Sequence, residues 1–434
     1  MVDTSALPVV DGHCHPFVNQ GELTPSQFAD LVSFPGGSLE YMAQGGVAVD
    51  DDLKDELQRV RRDVLFFRYL VHQLARFFDC EPDLEHVVAE RNKAVQDYAG
   101  YVKRLYDDGG LATLVTDFGY PQPPVDRAQF AKDMPVEVVP VFRIEPLIVE
   151  LLDADIGWDE FRQRYDEAIA HAIEQEGYRG LKSIIAYRTG LDISPLSRTP
   201  DQGLQALDAI RRGTGSQATK KLRDHLFCRA LELCMEYNVP MQIHTGMGDF
   251  EVNLVLCRPA LLMDLLRFPA FRGCKVLLIH SGYPYHAEAG YMANVLPRVY
   301  CDVSEGIPFA ASAARRIYAE VLEMAPLSKV VYGSDGTSLP ETNYIGAKLG
   351  KAALAQALED LVNGGMLSSG EAEEAAGLIL AGNARRLYRL DHNCHPERSE
   401  EPALSATKGS RSPKRKRDSF LQLRSGQALL RSSE

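Results

Sequence analysis

No apolar run in the 434 residues approaches the ~18 needed to cross a membrane. The N-terminus, MVDTSALPVVDG, lacks a basic start followed by an apolar stretch, so no secretory signal is expected. The eight cysteines include no CxxC pair and are scattered, which predicts reduced thiols and a cytoplasmic protein. Positive charge is scarce: 47 Lys+Arg against 60 Asp+Glu gives a net −13. That balance argues against a general binder of nucleic acid or anionic membrane. No GxxxxGK[ST] occurs, and no well-placed GxGxxG. GTGSQATKK (213–221) superficially suggests a phosphate loop but lacks a preceding strand and is expected to be a flexible insertion.

What is present is globular composition, 45% hydrophobic and 25% charged. Eight short β-branched runs end in polar residues or glycine: 7–16, 111–119, 136–146, 178–187, 239–246, 275–282, 298–306 and 329–336. Most are continuously apolar, as expected of parallel strands buried on both faces. Helical patterns separate many of them, at 222–238, 258–271 and 312–326, and two more (348–365 and 369–388) follow the last. The fold class is therefore α/β, a (β/α)8 TIM barrel over residues 1–390, with a doubly wound open sheet as runner-up. Residues 17–110 form a long, mostly helical insertion after the first strand, notably at 51–79, and 188–221 form a second insertion. Both are candidate lids or substrate-selecting walls. Residues 391–434 are rich in Ser, Arg and Lys without apolar periodicity and are expected to be a disordered, non-functional tail. Their wording resembles translated intergenic repeats at the ends of some bacterial reading frames. SPKRKRD within them reads as a solvated charge run or as a nuclear-import or nucleic-acid patch.

Four of the eleven histidines sit where strands end. His13 and His15 flank Cys14 in DGHCHP, so both imidazoles can project to one side while Cys14 faces the other and packs. His244 ends the fifth run in QIHTG, His280 the sixth in LIHSG, and Asp335 the eighth in YGSDG. Any one of these alone has an ordinary structural reading, such as a hydrogen-bonded histidine or a turn aspartate. Together they point to a divalent metal, because a closed barrel brings all eight C-terminal strand ends around one site.

These motifs resemble those of the amidohydrolase superfamily, over roughly residues 7–388. More narrowly, GLKSIIAYRTGL (180–191) and the helical insertion look like the amidohydrolase half of nodulin/glutamine-synthetase fusion proteins; no synthetase half follows residue 390. The resemblance implies that His13, His15, His244 and Asp335 hold the metal. Asp335 would also act as general base and proton shuttle. His280 would orient substrate in one-metal members or bind the second ion in two-metal members. The ion would be zinc, with manganese or iron as alternatives, and one ion rather than two.

Lys182 falls where two-metal relatives carry a carboxylated lysine. It could bridge two ions, bind a substrate carboxylate as an ammonium, or pair with a neighbouring acid. Arg188 and Tyr187 follow it, and Arg188 with Lys182 could hold an acidic substrate. Tyr283, His286 and Glu305 could line the pocket, with packing or lysine pairing as their plain alternatives. Arg143, Glu145 and Asp117 end other strands and have equally plain structural readings. Asp11 could orient a metal-bound imidazole.

The expected function is metal-dependent hydrolysis of a C–N amide bond in a small carboxylate-bearing substrate, such as a γ-glutamyl amide. The alternatives are a decarboxylase, lactone hydrolase or isomerase on the same site, or a non-catalytic ligand-binding barrel. The expected partner is a small-molecule substrate, with no nucleic acid and no membrane. Barrels of this size often form homo-oligomers, though no sequence feature marks an interface.

Overall fold

The computed structural model describes residues 2–34, 38–121, 124–215 and 217–390. Eight strands form one sheet: β1 (Val9–Cys14), β2 (Leu111–Asp117), β3 (Glu137–Arg143), β4 (Leu181–Ser183), β5 (Met241–His244), β6 (Val276–Ile279), β7 (Val299–Asp302) and β8 (Val330–Val331). They lie side by side in chain order, each parallel to the next. Backbone hydrogen bonds join the last strand to the first. Gly12 N–H donates to Tyr332 O at 2.9 Å, Asp335 N–H to His13 O at 2.9 Å, and His15 N–H to Gly336 O at 2.8 Å. The approach at this seam requires glycine, since a Cβ on Gly12 would lie 2.6 Å from Val331 Cγ1. The expected TIM barrel is what forms.

Inside the barrel, Val10, Val115, Val139, Val141, Leu277, Ile279 and Val331 pack with Leu387 and Tyr388 from the last described helix, Asn383–Tyr388. The Gln242 amide reaches this apolar plug: Nε2 donates to Tyr388 OH at 2.7 Å and to Gly12 O at 3.1 Å. The outer faces of the strands pack against the helices in a larger core.

The insertion between β1 and β2 contains α1 (Pro25–Val32), α2 (Ser38–Gln44), α3 (Asp51–Arg62), α4 (Leu65–Phe78), α5 (Leu84–Ala94) and α6 (Tyr98–Gly109). The helical run at 51–79 consists of two helices. Val64 is extended (φ −75°, ψ 147°), and the apolar stripe begins only after it: α4 buries Phe66, Phe67, Leu70 and Leu74, whereas α3 buries nothing.

Other expected helices also differ. At 258–271 there is a 3-10 turn, Pro259–Leu262, and a five-residue helix, Met263–Arg267. Phe268 precedes Pro269 and is forced into an extended conformation (ψ 135°), which ends the helix. At 369–388 a π-helical turn, Leu378–Gly382, separates two α-helices, and Ile379 O accepts a bond from Tyr332 N–H at 3.0 Å. The expected flexible stretch 213–221 is in part helical, since Ala218 opens the helix Ala218–Glu236. The second insertion carries a 3-10 turn, Pro195–Arg198, and a helix, Pro200–Arg211. The tail expected over 391–434 lies outside the described residues. No helix among the described residues is long and apolar enough to cross a membrane.

Candidate metal centre

The C-terminal strand ends bring the predicted side chains to one floor. His13 Nε2 lies 3.0 Å and His15 Nε2 3.2 Å from Asp335 Oδ1. Across the floor, His280 Nε2 is 3.1 Å from His244 Nδ1, and His280 Nδ1 is 3.6 Å from Glu305 Oε2. The ring centroids of His13 and His280 are 5.5 Å apart. The four expected ligands therefore fall into two groups. His13, His15 and Asp335 converge in one; His244 joins His280 and Glu305 in the other. Cys14 faces away as expected, with Sγ 3.6 Å from Val115 O.

Three of these residues have left-handed backbones: His280 (φ 67°), Glu305 (φ 61°) and Asp335 (φ 57°). Such conformations are costly for non-glycine residues and cluster at functional sites. Hydrogen bonds hold them in place. Asp302 Oδ1 accepts from His280 N at 2.7 Å and from Ser304 Oγ at 2.7 Å, and Ser304 Oγ is 2.9 Å from His280 Nδ1.

Burial, reinforced by the Lys182 cation, lowers His13 to about 4 and His244 well below its ordinary value. Burial likewise lowers His280. All three imidazoles are thus neutral at pH 7, with a lone pair free to coordinate. Burial would raise Asp335, but its hydrogen bonds with His13 and His15 outweigh it and keep the carboxylate well below the usual range. Glu305 is pushed up by burial and by the charge of Asp335.

Lys182 lies beside the first group, with Nζ 3.1 Å from His13 Nε2 and 4.0 Å from Asp117 Oδ2. Burial lowers it to about 8 against the pull of Asp117, so it is largely an ammonium at pH 7. Asp117 is committed to Arg143, whose Nε and Nη2 lie 2.9 and 2.5 Å from Oδ2.

The donor set fits a divalent cation on its own chemistry. Neutral imidazoles and a carboxylate suit zinc or another borderline ion. His244 Nε2 and Glu305 Oε2 are buried without a hydrogen-bond partner, a costly condition that a bound ligand relieves.

A cavity of about 450 Å³ opens above the floor. Lys182, Tyr187, Arg188 and Glu305 line it. Tyr187 OH accepts Asp249 N–H at 3.1 Å, and its ring lies 4.4 Å from that of His244. Arg188 reaches Glu251 at 3.8 Å. Tyr283 is not among the lining residues. Ser281 (φ 43°) and Gly282 (φ 64°) turn the chain away, and the Tyr283 ring packs edge-on to His286 at 5.0 Å. His286 in turn pairs with Glu320 at 3.0 Å.

Two further candidates hold backbone rather than the site. Asp11 orients no imidazole: it accepts Ser334 N at 2.8 Å, Ser334 Oγ at 2.5 Å and Asn343 Nδ2 at 3.1 Å, fixing the turn that carries Asp335. Glu145 is a buried clamp on β4, accepting Ser183 Oγ at 2.7 Å and Ile184 N at 2.9 Å. Residue-by-residue reading missed Tyr120, whose ring lies 5.4 Å from His15, and the cavity-lining Phe34 and Phe309. The only signal for Phe34 was its place in an insertion that follows a site-bearing strand.

A family model described as amidohydrolase matches residues 156–390, the span that holds His244, His280, Glu305 and Asp335. The chain belongs to the amidohydrolase family. Protein fluG of Emericella nidulans is 29% identical over 419 residues, which cover 88% of this chain and 46% of that protein. This amidohydrolase thus spans about half the length of that curated relative. A crystal structure from Lactobacillus casei, described as a metal-dependent hydrolase, superposes with a TM-score of 0.70 at 25% identity, covering 89% of this chain and 96% of that one. Glucuronate isomerase from Caulobacter crescentus shares the fold at 15% identity, with a TM-score of 0.64 and coverage of 90% and 93%. These matches speak to the superfamily, not to the narrower fusion group.

Proposed function

We propose that this amidohydrolase cleaves a C–N amide bond of a small carboxylate-bearing substrate with the help of one divalent ion, zinc by the chemistry of its donors. The observation that carries the reading is the placement of Asp335 Oδ1 within 3.2 Å of both His13 Nε2 and His15 Nε2, at the floor of a cavity of small-molecule size. His13, His15 and Asp335, which converge, would hold the ion, which when bound supplies Lewis acidity and lowers the pKa of its water toward ~7.

The chain's own residues do the rest. Asp335, ionised and flanked by two imidazoles, takes the proton of the attacking water and returns it to the leaving nitrogen. His280, its ring fixed by Ser304 Oγ 2.9 Å from Nδ1, helps to orient the substrate from the floor. Lys182, as an ammonium, faces the substrate carboxylate, and Arg188 at the cavity wall adds a second cation.

Product analysis on the metal-supplemented protein tests this against the chemistry that shares its floor. Release of ammonia or amine from a panel of carboxylate-bearing amides is expected. Carbon dioxide release without amine would replace the hydrolase reading with a decarboxylase.

A further inference from the structure

The cavity floor is ionic, but one wall is not. Leu31 and Phe34, both from the insertion between β1 and β2, line the cavity together with Phe309, which follows β7. Phe34 stacks on Phe309 with centroids 4.9 Å apart and planes 27° apart. Phe66 of α4, fully buried, meets Phe309 edge-on at 4.8 Å. Phe34 and Phe309 are only half-buried, so apolar ring surface is left on the cavity side.

Phe28, Ala29 and Val32 satisfy the buried face of α1. Leu31, at the edge of that face, is partly buried against the same core, and Phe34 follows just beyond the helix end. Apolar surface in a cavity of this size gains free energy only when an apolar group covers it. Phe309 is held between two rings, so little side-chain freedom remains to be lost when a ligand packs against the wall.

We infer that Phe34 and Phe309 form a subsite for an aromatic or other flat apolar group of the substrate, distal to the bond cleaved, and that the helical insertion thereby sets substrate choice. The substrate class is then an amide with a carboxylate at one end and an aromatic group at the other, of the N-aroyl amino acid type. The placement of the scissile bond rests on the proposed hydrolase reading; the apolar subsite rests on the cavity alone.

Isothermal titration of the metal-loaded full chain with two pairs of probes tests it: N-benzoylglutamate against N-acetylglutamate, and benzamide against acetamide. The benzoyl member of each pair is expected to bind about tenfold tighter or more. Phe34→Ala should remove most of that preference and leave binding of the acetyl probes unchanged, while Phe34→Tyr should keep it. Phe34→Leu retains bulk without the ring and carries the same comparison should the alanine variant not fold. Wild-type protein without a preference in either pair, or a preference that survives both Phe34→Ala and Phe309→Ala, would overturn the subsite. A Phe34-dependent benzamide preference with no gain from the glutamate carboxylates would support the subsite and count against the carboxylate-bearing substrate instead.

Discussion

Arg91 and Glu341 form an ion pair in which both side chains are fully shielded from solvent, with Arg91 Nε 2.7 Å from Glu341 Oε1. Arg91 belongs to α5 of the insertion, and Glu341 to the first turn of the helix Pro340–Asn363 that follows Asp335. Tyr101 OH donates to the same carboxylate oxygen at 2.9 Å, and Arg91 Nη1 donates to Gly21 O at 2.7 Å. The insertion is therefore anchored to the element that carries the catalytic candidate's loop.

Removing one partner strands a buried charge. Arg91→Met is expected to cost about 3–5 kcal/mol, and the double variant Arg91→Met/Glu341→Leu to recover much of it. Urea unfolding of both variants checks this. Equal losses in the two would show that the pair is not the anchor.

Asp335→Asn keeps the shape of the side chain and removes its basicity. Turnover should fall by about 10²–10⁴-fold, while elemental analysis still finds most of the metal. Activity like the wild type's would refute the proton-shuttle role.

Lys182→Met removes the floor's ammonium. KM for a carboxylate-bearing amide should rise about tenfold or more, with a smaller effect on an uncharged analogue. Equal effects on both substrates would assign Lys182 to the chemistry instead.

Burial raises Asp224 from its ordinary 3.8 to about 6 despite its pairing with Lys220 at 2.9 Å. The folded state then holds this proton more tightly than the unfolded chain does. The group's stabilising contribution is complete below 3.8 and is lost as pH rises through 6. Asp224→Asn should accordingly show a smaller loss of stability between those pH values than the wild type in parallel urea titrations. Identical slopes would contradict the shift.

The strand ends were legible because each is written locally: an apolar run, then a polar residue, then glycine. DGHCHP, QIHTG, LIHSG and YGSDG carry their chemistry at the point where the strand stops, and the barrel does the rest. What was illegible is set by contacts with no local mark. Arg91 and Glu341 are separated by 250 residues, and nothing around either one announces the other. Phe34 and Phe309 meet across an insertion and a strand-end loop, with no shared periodicity to link them. The division of His244 from His13 and His15 depends on side-chain direction at the floor, which strand position alone does not give. The break between α3 and α4 was obscured because the charged face of one helix runs in sequence into the apolar stripe of the next.

Elemental mass spectrometry on metal-supplemented wild type and Lys182→Ala, side by side, tests the metal centre most directly. One divalent ion per chain in both is the predicted result, with Lys182 free to meet substrate. No bound metal in either protein would contradict the centre built on His13, His15 and Asp335, and two ions falling to one or none in the variant would contradict the single-ion reading.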